Sequence, residues 1–188
     1  MAFGSSKRAL RRALAGLASS GGLIALIAFV LPWVVVTCQD REVARISPYQ
    51  VATDAEPSPE AGLLEGSRRD RDARHEPVDL VRRRLAWLFA LLPALVMVLG
   101  VWIAVRNDRS GPPLALGMAA AAGLALTVAR GMRDHLGLAL DDLGGLEATA
   151  RVEIAWGAWL AVGGHTLALA VAALLVALPP DVSARDPL

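Results

Sequence analysis

LPWVVVTCQDREVARISPYQVAT, residues 31–53, decides how this chain is read. An apolar run ends in Leu31, Pro32 and Trp33. A β-branched run, Val34 to Thr37, follows, and then the single cysteine, Cys38. Proline removes a helix hydrogen bond, so Pro32 favours a kink or an end to a helix. Tryptophan is a common anchor at a membrane–water boundary, which is the role expected of Trp33. The polar break Gln39 to Glu42 separates this run from a second one holding Val43, Ile46, Val51 and Thr53. The pattern predicts a short hairpin or extended pair over 33–53, lying at a membrane surface. Two strands alone are marginal and must pack on helix ends or on a partner.

Upstream, Gly16 to Val36 is 21 residues without a charge. As a helix this run spans about 31 Å, enough for a hydrocarbon core of about 30 Å. Residues 1–15 before it form a basic tail with Lys7, Arg8, Arg11 and Arg12. A basic start and an apolar core also suit a signal peptide, but the run is long for one. Val35 to Cys38 faintly follows a lipoprotein cleavage box, with Thr37 where a small residue is usual. The expected reading is a retained transmembrane helix.

Downstream, residues 54–84 are polar, rich in charge and hold three prolines, which predicts a flexible loop. Three more apolar stretches follow. Residues 85–105 carry Trp87 and Trp102 near their ends and Pro93 between them. Residues 113–129 are dominated by small side chains; Gly117, Ala121 and Ala125 recur on one stripe and Ala115, Ala119 and Gly123 on another. Such a helix is expected to sit centrally or against a partner. Residues 130–153 are expected to form an interfacial connection, with Met132, Leu136 and Leu140 on one side. Residues 154–178 form the fourth span, and 179–188 a polar tail. The expected fold is an all-α membrane protein: four transmembrane helices, a short extended or hairpin element, and a long loop after helix 1.

The residues Leu31, Pro32, Trp33, Val34, Val36, Thr37 and Cys38, followed by Val43, Ile46, Ser47 and Val51-Ala52, resemble a group of uncharacterised bacterial four-helix membrane proteins. Arg151 to Gly164, RVEIAWGAWLAVGG, resembles that group's lead into its last helix. Pro48 and Gln39-Asp40-Arg41 stand where the group commonly has glycine. The resemblance implies topology and a bacterial inner membrane, and it assigns no site residue.

Charge excludes some classes. Nineteen basic and 18 acidic residues give a net charge of +1, so no nucleic-acid partner is indicated. Eighteen of the basic residues are arginine, a usage typical of GC-rich genomes. One cysteine allows no internal disulfide, and no zinc or phosphate-loop signature occurs. The positive-inside rule is split: with the N-terminus inside, 7 basic residues lie inside and 12 outside. The first helix, with four bases and no acid before it, and the resemblance favour cytoplasmic termini.

His165 lies mid-span beside Gly163 and Gly164, and an ionisable group at membrane depth is a functional candidate. It is the one candidate cofactor ligand, with proton or substrate handling and structural hydrogen bonding as the competing roles; no second histidine falls in a span, and no cofactor is expected. Trp33, Cys38, Gly117, Ala121 and Ala125 are the candidate interaction residues. No Asp, Glu, Lys or Arg falls in the four expected spans, which argues against an ion-coupled transporter. The expected function is a non-enzymatic accessory or scaffolding subunit, partnered by lipid and by another membrane protein or a second copy. An oligomeric channel and a cofactor-binding subunit are the alternatives.

Overall fold

The computed structural model describes residues 3–38, 41–53, 55, 76–106, 112–131 and 150–178. Its elements in chain order are α1 (Phe3–Ala28), β1 (Val34–Cys38), β2 (Arg41–Ile46), α2 (Pro48–Thr53), α3 (Glu76–Arg106), α4 (Pro112–Leu126, continued by a π-turn at Thr127–Gly131), β3 (Ala150–Ile154) and α5 (Trp156–Ala177). Four helices are long and apolar enough to cross a membrane. The protein is therefore a multi-pass membrane protein built mainly of helix, with a small sheet at one end.

The four long helices form a ring in which α1 and α4 each pack between α3 and α5. Close approach is set by glycines. A Cβ on Gly21 would stand 2.6 Å from the Gly164 carbonyl oxygen, and a Cβ on Gly164 would stand 2.5 Å from that of Gly21. Ala25 and Ala168 sit one turn further along each helix, so the α1–α5 seam is a pair of small-xxx-small motifs. On the α3 side, a Cβ on Gly22 would meet the Pro93 carbonyl oxygen at 2.8 Å. Gly100 closes on Ser19, whose hydroxyl donates to the carbonyls of Ala15 and Met97, each at 3.2 Å. These contacts fix α1 antiparallel to both α3 and α5. The starting end of α1 and the finishing ends of α3 and α5 therefore share one face of the bundle.

The sheet crowns the other face. Its order is β2-β1-β3, antiparallel throughout. Val34 and Val36 are buried and pack with Trp33 on Ala28, Ala158 and Ala161, with Ile46, Phe89 and Ile154 at the margin. The apolar face of the sheet thus closes the bundle.

Several boundaries differ from expectation. The first helix ends at Ala28, well before Val36, because the three valines from 34 to 36 gain strand partners on both sides. It also begins at Phe3, so the basic stretch is helical from there. Trp33 is not an interfacial anchor: it is 2 % exposed, and its indole N–H donates to the Ala28 carbonyl at 2.8 Å. The hairpin is strand only to Ile46. Ser47 then caps α2, its hydroxyl accepting the Gln50 N–H at 3.2 Å while the Gln50 side chain accepts the Ser47 N–H at 2.8 Å. That is a capping box with proline in the first helical position. The third strand, β3, takes Ile154 from the expected fourth span and the end of the expected interfacial connection. The second span, Arg83–Val105, lies close to expectation, but its helix begins earlier, at Glu76, so residues 76–84 are helical where a flexible loop was expected. Residues 54 and 56–75 of the expected flexible loop 54–84, most of the interfacial connection (132–149) and the tail 179–188 lie outside the described residues.

Candidate functional site

His165 is 3 % exposed and projects from the middle of α5 towards α4. Its Nδ1 lies 2.8 Å from the Ala161 carbonyl oxygen, one turn back. A carbonyl only accepts, so Nδ1 carries a proton, and a neutral ring would present a lone pair at Nε2. Nε2 is buried and has no hydrogen-bond partner. It abuts Gly123, where a Cβ would collide with the ring at Nε2 and Cδ2. One turn on, the buried hydroxyl of Thr127 donates to the Gly123 carbonyl at 2.7 Å, where the α-helix gives way to the π-turn.

This arrangement answers the sequence-level idea that glycines make room for a cofactor ring at His165. Gly164 is occupied by the α1 crossing, while Gly163 faces open space away from the imidazole. The glycine that makes room is Gly123, on another helix, and the imidazole itself fills that room. A metal on Nε2 would need the volume that the α4 backbone holds. The residues do not fit a porphyrin-type group, and among the described residues no cluster of His, Cys, Asp or Glu suits a metal ion.

The second candidate surface is the outer face of the sheet. The register sets Arg45, Val35 and Glu153 in one row and Glu42, Thr37 and Arg151 in the next. Residues three apart on a regular strand point to opposite faces. Glu42 and Arg45 nevertheless share the outer face, because the β1–β2 register slips by one residue between Val36 and Thr37. The bulge lets them pair: Arg45 Nη2 donates to Glu42 Oε2 at 2.8 Å, and Arg45 Nε to Oε1. The Arg45 hydrogen bond holds the Glu42 carboxyl below its ordinary value; desolvation opposes this, and the Arg45 charge adds to it.

The other expected interaction residues are dispersed. Cys38 ends β1 opposite Arg41 and Ala150. Gly117 is half-buried with Ala172 beside it, and Ala121 and Ala125 are exposed on α4. The stripe that α4 buries holds Leu116, Ala119, Ala120 and Gly123; it shares Ala119 and Gly123 with the second expected stripe and nothing with the first.

Sequence reasoning missed three things that leave a signal. Ser47-Pro48-Tyr49-Gln50 spells its capping box. Ala150 to Ile154 alternates apolar and charged residues. Gly21-x-x-x-Ala25 and Gly164-x-x-x-Ala168 are matching motifs. The Gly123–His165 contact leaves none, because it joins residues far apart in the chain. No family model matches the chain, and no curated protein or solved structure matches it.

Proposed function

We propose that this protein is a non-enzymatic accessory or scaffolding subunit of a membrane complex, set in a bacterial inner membrane with both termini cytoplasmic. One observation carries the reading: a polar sheet face is mounted rigidly on an apolar bundle. The Trp33 N–H donates to the Ile46 carbonyl at 2.9 Å, and the Trp33 carbonyl accepts the Ala155 N–H at 2.8 Å. The same residue is thus bonded to the end of β2, to the link between β3 and α5 and, through its indole, to the end of α1. Such a face is pre-organised, and little ordering entropy opposes a partner that docks on it.

The test is chemical cross-linking in cells, purification of the full chain in mild detergent, and mass spectrometry of what accompanies it. A defined partner, lost on Glu153→Arg without a fall in melting temperature, supports the reading. A clean monomer with no cross-linked companion overturns it. Orientation is tested separately with Glu65→Cys in a Cys38→Ser background. Labelling by an impermeant thiol reagent in intact cells is expected.

The cofactor-binding alternative draws on the unbonded Nε2 of His165, and the Gly123 backbone against that atom weighs against it. A visible absorption band in the purified protein would reinstate it.

A further inference from the structure

We propose that the bundle end opposite the sheet binds the phosphate of anionic phospholipids, with Lys7, Arg8 and Arg12 of α1 as the contacting cations. The helix continues through this stretch without a break, so the three charges are held in place and project from one rigid element. All three are exposed, while Arg11 is half-buried in line with Ala15 and Ala18, which are fully buried.

Depth follows from the glycine contacts. Gly21 faces Gly164, and Gly157 closes on Pro32, so α5 runs down α1 until its last turn is level with the basic stretch. Gly100 against Ala15 and Ser19 brings the end of α3, with Arg106, to the same level. Trp102, exposed one turn before that end, sits just inside it, where indoles mark the headgroup boundary. The cations therefore stand in the headgroup layer rather than in bulk water.

None of the four α1 cations has an ion-pair partner among the described residues. The described residues at this end of the bundle include no Asp or Glu. The α5 helix ends there without a basic residue in its last turn. The charge on this rim is thus uncompensated within the described protein, and a phosphate diester is the anion that a bilayer supplies at that depth. Each cation near an anionic lipid surface strengthens association roughly fivefold.

The experiment presents the full-length protein in mild detergent with equal amounts of phosphatidylglycerol and phosphatidylcholine of the same acyl chains, and counts the retained lipids by native mass spectrometry. Retention of phosphatidylglycerol over phosphatidylcholine by about tenfold or more is expected. The ratio should fall close to one in Lys7→Gln/Arg8→Gln/Arg12→Gln and stay unchanged in Arg45→Gln, at the opposite end. An excess of inorganic phosphate should not compete, because it lacks the chains that lie along α1; full competition would assign the site to a free anion and overturn the lipid assignment. Equal retention of the two lipids by the wild type, or an unchanged ratio in the triple variant, also overturns the proposal. Should the triple variant fail to fold, a salt titration of the wild type decides. The preference must fall as ionic strength rises, and a salt-independent ratio overturns it.

Discussion

The imidazole of His165 fills the volume that a side chain at position 123 would need, so Gly123 and His165 are complementary halves of one helix–helix contact. Overpacking a tight contact costs about 1–3 kcal/mol. Gly123→Ala is expected to destabilise by that order, read as a fall in thermal or denaturant midpoint in detergent. In a His165→Ala background the same substitution should be nearly free. A double-mutant cycle then reports a coupling of about 1 kcal/mol or more. Additive effects would mean that the two residues do not share this space.

His165→Leu separates packing from chemistry. The substitution keeps an apolar body of similar bulk and removes a buried nitrogen that has no partner. The lost Nδ1–H bond to Ala161 is a second bond to a carbonyl within a helix, worth about 1 kcal/mol at most. Stability within about 1 kcal/mol of the wild type is expected. A stable His165→Leu protein that still recovers its partners would assign the histidine to packing. A stable variant that loses them would assign it a role beyond packing.

The α1–α5 seam gives a sharper contrast among glycines. Gly21→Ala drives a methyl group towards the Gly164 carbonyl, and backbone cannot swing aside as a side chain does. Gly163→Ala, one residue from Gly164, enters open space. The first is expected to cost about 1–3 kcal/mol. The second should be neutral, or stabilising by up to about 1 kcal/mol through helix propensity. Similar melting temperatures for the two variants would remove the close crossing.

How much of this was legible depends on the range of each interaction. The four spans follow from run length and charge, which are local properties; the last three fall close to the apolar stretches Arg83–Val105, Pro112–Ala129 and Trp156–Ala177, whereas the first is set too late in the chain, at 16–36 against Ser6–Ala28. The strand character of Val34–Val36 is also local, yet apolar run length alone carries the first helix through to Val36. The helix ends at Ala28 because β3 arrives from residue 150 and completes the sheet, and nothing near residue 30 announces that partner. Trp33 misleads for the same reason. An indole at the end of an apolar run suits an interface, and only the fold reveals Phe89, 5.0 Å away centroid to centroid, and the closed sheet above it. His165 stands out by type and depth, whereas its meaning lies in a glycine on a different helix.

Trp33 is expected to be among the most costly single positions in the chain. Trp33→Phe keeps an aromatic ring against Phe89 but loses the bond to the Ala28 carbonyl, a loss of about 1 kcal/mol with some cavity cost. Trp33→Ala empties a fully buried site and should cost about 3–5 kcal/mol. Hydrogen exchange resolves the effect locally: the amides of β1, β2 and β3 should lose protection together, while those of α4 keep theirs.

The ion pair on the sheet gives a pH signature. Arg45 lowers the Glu42 carboxyl from its ordinary value of 4.5, chiefly through their hydrogen bond. A group whose folded pKa is depressed contributes stability above its unfolded value and loses it as pH falls through the folded one. The pair should therefore be intact at neutral pH and break only below about pH 4.5. Both side chains meet solvent, so the effect on global stability is small and salt-sensitive. The direct reading is the Glu42 carboxyl titration followed by carbon-detected NMR. Its midpoint should rise towards the ordinary value in Arg45→Gln and in high salt. The bulge is tested by the same experiment, because without the slip between Val36 and Thr37 these residues would face opposite ways and Arg45→Gln would leave the midpoint where it was.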